Sequence, residues 1–310
     1  MLKSMGASLY IPATHKHLLE VANGERIEQA RSLIFCTEDA IAERELDTAL
    51  FNLGTVLAAM RRERTAQRFV RVRNASVMAR VLAMPGADKL SGFVIPKATR
   101  DNLPAYLALV RDTNHLLMPT LETAEVFDDD EMQQLRRYLN TPAVRSRILA
   151  LRIGGNDLLA LLGLRRPRNM TIYRTPLGPV IARLVTTFRP HGFVLTAPVF
   201  EHLDLSDLLD QEVAEDLAYG MVGKTAIHPS QIKPIEQHYK VKPHDLDAAI
   251  AILDQDSPAV FRMHHSMCEV ATHRAWAERT VMQSTLFGAH QHDGPPRKVV
   301  SLIKPSRQQA

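Results

Sequence analysis

The chain has 310 residues, 45% of them hydrophobic and 23% charged, with a formal net charge of +4. Its basic residues fall in short scattered runs, RRER at 61–64, RRPR at 165–168 and PRK at 296–298, and do not form the continuous stripe that nucleic-acid binding requires. No run reaches the roughly 18 apolar residues of a membrane span, the N-terminus has no signal-peptide core, and the two cysteines, Cys36 and Cys268, make neither a disulfide framework nor a zinc spacing. The expectation is a cytoplasmic protein with neither nucleic acid nor membrane as a partner.

Eight short apolar runs follow in chain order: SLYI (8–11), SLIF (32–35), FVRV (69–72), FVIP (93–96), LLMPTL (116–121), ILALRIG (148–154), FVLTAP (193–198) and KTAIH (224–228). They are continuous and do not alternate with polar residues, the pattern of parallel strands covered on both faces. Segments of helical pattern separate them. Residues 43–66 are rich in helix formers at helical spacing. Residues 101–112 open on capping residues, and 128–140 start with acids and end near arginines, matching the helix dipole. Residues 205–220 end on Gly220, and 229–239 begin with Pro229.

Strand–helix alternation repeated eight times predicts an α/β protein, a (β/α)8 TIM barrel over residues 1–240. No Gly-x-Gly-x-x-Gly follows the first strand, which argues against a dinucleotide fold. Beyond it, 244–254 and a stretch around 257–282 read as two further helices, a C-terminal helical extension over 241–285. The Gly-Pro-Pro-containing remainder, 286–310, reads as a flexible tail.

In such a barrel the active site lies at the C-terminal ends of the strands. The polar residues expected there are Glu38 and Asp39 after the second strand, Arg71 and Arg73 at the third, Lys97 after the fourth, Glu122 after the fifth, Asp157 after the sixth and His228 after the eighth. Glu122 and Asp157 stand on adjacent strand ends. Two hard carboxylate ligands suit Mg2+, which keeps several waters and leaves room for substrate oxygens. The forked donor face of Arg71 suits a substrate carboxylate. Each residue also has a plainer reading: Glu122 and Asp157 at helix N-termini, Lys97 on the surface, Asp39 in a bridge to Arg71. The coincidence of so many at one rim favours a site. His228, ahead of Pro229, is expected to tie the eighth strand to its helix.

These segments, in one consistent order over about residues 7–254, resemble the citrate lyase beta subunit and malyl-CoA lyase group of the HpcH/HpaI aldolase superfamily. SLYIPA resembles the family's LFVPG, TEDAI (37–41) its LEDAV, FVRVRN (69–74) its VVRIN and FVIPKA (93–98) its VRLPKT. PTLETAEVF (119–127) resembles AMIETAXGV, and GKTAIHPSQI (223–232) is nearly identical to GKWAIHPSQI. RIGGNDLLALLG (152–163) resembles the segment that carries a second metal ligand. The resemblance implies Mg2+ held by Glu122 and Asp157, with Arg71, Lys97, Glu38 and Asp39 as catalytic residues. It implies Arg71, Arg73, Pro12 and Ala13 at the substrate. The implied reaction is C–C cleavage or condensation through an enolate, on a 2-oxo acid or an acyl-CoA, in a homotrimer or homohexamer.

The sequence departs from the family in its first loop. Gly6-Ala7-Ser8 replaces an Arg-Ser pair, and Ala13 replaces a glycine and is followed by THKH (14–17). Cys36 stands where an Asp is usual, and Arg73 where an Asn is usual. The first two changes fall where the family meets CoA phosphates. With His15, Lys16 and Arg73, they point to a differently placed anionic group. Two alternatives stay open: an aldolase for a non-CoA, phosphorylated substrate in a stress-response pathway, and an inactive barrel serving as a binding or assembly subunit.

Overall fold

A computed structural model of the chain describes residues 5–27, 29–62, 66–290 and the backbone of 300–301. The eight expected strands are all present: β1 (Gly6–Pro12), β2 (Ser32–Cys36), β3 (Gln67–Arg71), β4 (Gly92–Ile95), β5 (Leu116–Leu121), β6 (Leu151–Ile153), β7 (Leu195–Thr196) and β8 (Gly223–Ala226). Each pairs in parallel with the next from β1 to β7, and β1 also pairs with β8. The seam between β7 and β8 closes through the Ala197–Lys224 bridge and the Val222 N–H to Leu195 O bond of 2.9 Å. The result is a closed (β/α)8 barrel, as the alternation predicts.

Helices alternate with these strands: α1 (Leu18–Asn23), α2 (Leu46–Ala59), α3 (Ala75–Leu82), α4 (Leu103–Val110), α5 (Asp129–Leu139), α6 (Pro142–Arg145), α7 (Gly155–Leu161), α8 (Leu177–Phe188) and α9 (Ser206–Ala218), with α10 (Ile232–His238) after β8. Their buried residues recur at helical spacing; α2 buries Ala49, Leu50, Leu53, Val56 and Leu57. The acidic start of α5 works as expected, with the Asp128 carboxylate accepting the N–H groups of Asp130 and Glu131 at 2.8 and 3.1 Å.

Strand periodicity sorts the barrel interior into layers. Tyr10, Ile34 and Phe69 are register partners, and with Val94, Met118 and Ala150 they fill the lower interior. Arg71, Thr120, Glu122 and Arg152 lie toward the C-terminal end on the same inward-facing positions, because side chains two apart share a face. Lys224 points the other way, toward α9. It is fully buried, and its ammonium lies 2.9 Å from both Glu212 and Asp216, while Arg166 pairs with the other Glu212 oxygen.

Contact density divides the chain into one compact unit running to Ile235 and a second beginning at Glu236. In the second, α11 (Pro243–Leu253) matches the helix expected at 244–254. The stretch around 257–282 does not form the single helix expected. It opens with an antiparallel hairpin, β9 (Val260–Met263) and β10 (Ser266–Glu269), and only then becomes a helix, α12 (Val270–Phe287). The two turn residues, His264 and His265, both have positive φ (47° and 65°). Such hairpin turns normally announce themselves with Asn-Gly or Gly, so a His-His turn left no signal. Phe261, Met263 and Cys268 of the hairpin pack with Ala249, Ile252 and Ala277 into this unit's own core. Of the 286–310 tail, 291–299 and 302–310 lie outside the described residues, and Ala289 makes a backbone bridge to Val241.

Candidate active site

The barrel rim gathers most of the residues named from sequence. Arg71, the last residue of β3, aims its guanidinium at three carboxylates. Its Nη2 lies 2.8 Å from Glu38, 2.9 Å from Asp39 and 3.5 Å from Glu122. Lys97, just past β4, places Nζ 3.3 Å from Glu38, 3.9 Å from Asp39 and 3.4 Å from Asp157. Arg71, Lys97, Glu38, Asp39, Glu122 and Asp157 therefore form one continuous charge cluster.

Local structure explains why each group stays in place. Lys97 has φ 47°, a left-handed conformation uncommon for a residue with a side chain. It is held there from both sides: its N–H donates to Glu122 Oε1 at 2.8 Å, and its carbonyl accepts from Asn102 Nδ2 at 2.8 Å. Glu122 is in turn packed against a glycine. A Cβ on Gly154, the residue between β6 and α7, would lie 2.1 Å from Glu122 Oε2. Glu38 folds back to accept the Asp39 N–H at 2.7 Å, and Thr37 anchors the same loop with two bonds to the Arg71 carbonyl, from N–H at 3.0 Å and Oγ1 at 2.9 Å.

Protonation follows from crowding. Burial raises Glu122 to about 7, against the pull of Arg71. Burial also raises Glu38, again opposed by Arg71. Burial works to raise Asp39 as well, but the Glu38 hydrogen bond, Arg71 and Lys97 together hold it below its usual value. For Lys97 and Arg71, burial would lower the pKa. The surrounding carboxylates outweigh it in both, with Tyr10 contributing at Arg71, and both stay firmly cationic.

The remaining sequence candidates sit differently. Arg73 spends its guanidinium on the backbone of the loop after β2, donating to Ile41 O at 2.6 Å and Glu38 O at 3.5 Å. Pro12 ends β1. Ala13 beside it is fully buried, and its N–H and C=O are bonded to Cys36 O and to the Asn52 amide. Cys36 is buried, and burial pushes its thiol up. His228 caps the turn that follows β8, accepting the Ser230 N–H at 3.2 Å. Sequence reasoning missed Gly154, whose role shows only when its neighbour's side chain is in view. It also missed Tyr10 and Arg152, which read as ordinary strand residues.

The donor chemistry of the cluster decides whether a metal fits. Among the described residues, no three His, Cys, Asp or Glu side chains converge as a metal cage. Glu122 and Asp157 are two carboxylates on adjacent strand ends, and four rim carboxylates face two cations. A divalent ion that binds through one or two carboxylates and keeps its waters fits that set.

A family model described as C-C bond lyase of the TIM-barrel fold matches residues 1–289. The chain belongs to this family. As a C–C bond lyase family member it is an enzyme, and the family accounts for the barrel. The chain is 29% identical over 247 residues to a (3S)-malyl-CoA thioesterase of Cereibacter sphaeroides, covering 78% of this chain and 79% of that protein. Among solved structures it is similar to the protein CitE from Mycobacterium tuberculosis in complex with magnesium, acetoacetate and coenzyme A. The TM-score is 0.69 at 19% identity, over 92% of this chain and all of that one. A magnesium/glyoxylate complex of Haloferax volcanii malate synthase aligns with TM-score 0.64 at 17% identity, over 75% of this chain and 74% of that one.

Proposed function

We propose that this lyase binds Mg2+ through Glu122 and Asp157 and breaks or forms a C–C bond next to a carbonyl, through an enolate. Its substrate is a small carboxylate, either a free 2-oxo acid or a CoA thioester. The observation that carries the reading is the convergence of Glu122, Asp157, Arg71 and Lys97 at one rim, where four carboxylates meet two cations. Bound Mg2+ would supply Lewis-acid stabilisation of negative charge on a substrate oxygen. CitE bound to magnesium, acetoacetate and coenzyme A, and the malyl-CoA thioesterase relative, support the substrate class.

The chain's own residues then divide the remaining work. Arg71 presents a bidentate donor face to a substrate carboxylate, oriented by Glu38 and Asp39. Lys97, cationic and half-exposed, stabilises negative charge that develops as the C–C bond breaks. Glu38, whose carboxyl is raised by burial, can carry a proton at the edge of the site. Arg73 and Ala13 hold the loops that carry these groups. Assembly as a homotrimer or homohexamer in the cytoplasm belongs to the same proposal.

The test is deuterium exchange from heavy water into the methyl groups of pyruvate and of acetyl-CoA, with and without Mg2+, in wild type and Glu122→Gln. Exchange that requires both the metal and Glu122 is the expected result, and the responding compound decides between free acid and thioester. Metal-independent exchange, or none with either compound, would overturn the reading.

A further inference from the structure

Among the described residues, Arg152 is a charge inside the barrel that the rim cluster does not use. It lies in β6 between Thr120 and Thr196, its register partners on the two flanking strands, so the three side chains share the inward face. It is 2% exposed. Among the described residues the hydrogen-bond partner of its guanidinium is the Thr225 hydroxyl, 2.6 Å from Nη2. Its Nη1 has no partner, and neither do the buried hydroxyls of Thr120 and Thr196.

A buried guanidinium without a carboxylate is costly. Burial without a partner leaves a charge uncompensated, a penalty of several kcal/mol in real proteins, and buried arginines are normally paired. Two unsatisfied hydroxyls beside a cation whose own Nη1 is unsatisfied therefore describe a receptor for an anion. The place is connected to the rim. Tyr10 is a neighbour of both cations, with Arg71 5.7 Å and Arg152 5.5 Å from its ring centre. Thr120 is two residues before Glu122, so Thr120 and its register partner Arg152 lie about 6–7 Å below Glu122 along the strands.

We propose that Arg152, with the hydroxyls of Thr120 and Thr196, is a second anion subsite on the floor of the active site. It takes a carboxylate at the far end of the substrate, and the preferred substrates are short dicarboxylates. This rests on the proposed function, which places the head of the substrate at Glu122, Asp157 and Arg71.

The experiment compares malate with 2-hydroxybutyrate, which replaces the second carboxylate by a methyl group, binding each by calorimetry in the presence of Mg2+. Wild type should bind malate about 10- to 100-fold more tightly, the range expected for hydrogen bonds to a charged group. Arg152→Met should bring malate to the level of 2-hydroxybutyrate and leave the latter unchanged. Thr196→Val, nearly isosteric, should lower malate affinity selectively even if Arg152→Met fails to fold. Equal affinity of wild type for the two acids, binding of neither, or equal loss of both in the variants would overturn the subsite and leave Arg152 a structural residue solvated by water. Pyruvate or acetyl-CoA exchange is scored in the same variants. If exchange persists while the malate preference is absent, the subsite fails and the enolate reading stands. If exchange is absent from wild type, it is the enolate reading that fails.

Discussion

Lys97 holds Glu122 with its backbone while reaching Asp157 with its side chain. The N–H donates to Glu122 Oε1 at 2.8 Å, and Nζ lies 3.4 Å from Asp157. One residue thus spaces the two carboxylates assigned to the metal, and it does so from a left-handed backbone, φ 47°. The two roles separate by mutation. Lys97→Gly keeps the conformation and removes the ammonium. Relief of about 1–2 kcal/mol of left-handed strain is offset by the flexibility of glycine in the unfolded chain, about 0.4–1 kcal/mol. Urea unfolding should therefore place it within about 1 kcal/mol of wild type. Lys97→Val is β-branched and fits this φ worse than Lys does, so it should be less stable than both the wild type and the glycine variant. Equal stabilities would show that the backbone here is not constrained.

Gly154→Ala tests the cradle behind Glu122. The new Cβ would meet Glu122 Oε2 at 2.1 Å and its Cβ at 2.4 Å. The carboxylate must move as a whole, since its attachment point is crowded too. Mg2+ affinity measured by calorimetry should fall about 10- to 100-fold, as it does when a metal ligand loses its support, with the far-UV spectrum unchanged. Unaltered affinity would mean that Glu122 is not a ligand.

The barrel was legible because its signals are redundant. Eight apolar runs were continuous, and each began or ended where a helix pattern took over. Glu122, Asp157 and Lys97 stood out because each puts a charge at the abrupt end of an apolar run, where a parallel strand leaves the buried sheet for the rim. The hairpin at 260–269 was not legible, because a turn with two positive-φ histidines has no compositional mark, and four-residue strands carry too little periodicity. Arg152 was hidden for another reason. In the string ILALRIG it reads as one polar residue on a strand, and only the register with Thr120 and Thr196 shows that it faces inward. Arg73 went the other way: its position suggested a ligand, and the structure binds it to backbone carbonyls.

Glu122 makes both metal binding and stability depend on pH. Its folded-state value is raised to about 7 by burial, above the unfolded value of about 4.3. Between these values the native state holds more protons than the unfolded state, so stability falls as pH rises through that window. In chelator, Glu122→Gln should gain stability relative to wild type between pH 5 and pH 8. Metal binding needs the carboxylate ionised. Mg2+ affinity should therefore rise about tenfold per pH unit below about 7 and level off above it. A flat affinity profile from pH 5 to pH 8 would contradict the assignment.

Lys224 is the reverse case, a buried charge whose partners are all present. Its ammonium lies 2.9 Å from Glu212 and from Asp216, and Arg166 offers Glu212 a second cation. Lys224→Met should cost about 3–5 kcal/mol in chemical unfolding, because it leaves a buried carboxylate unpaired. The burden falls on Asp216, since Glu212 keeps Arg166. Burial already raises Asp216 to about 6 despite Lys224, and without the ammonium it should rise further. Protonation then offers an escape, so the loss should be smaller at pH 5 than at pH 8. Adding Asp216→Asn to Lys224→Met should recover part of the stability at pH 8 and little at pH 5. Two additive losses, independent of pH, would show that these groups do not share one electrostatic network.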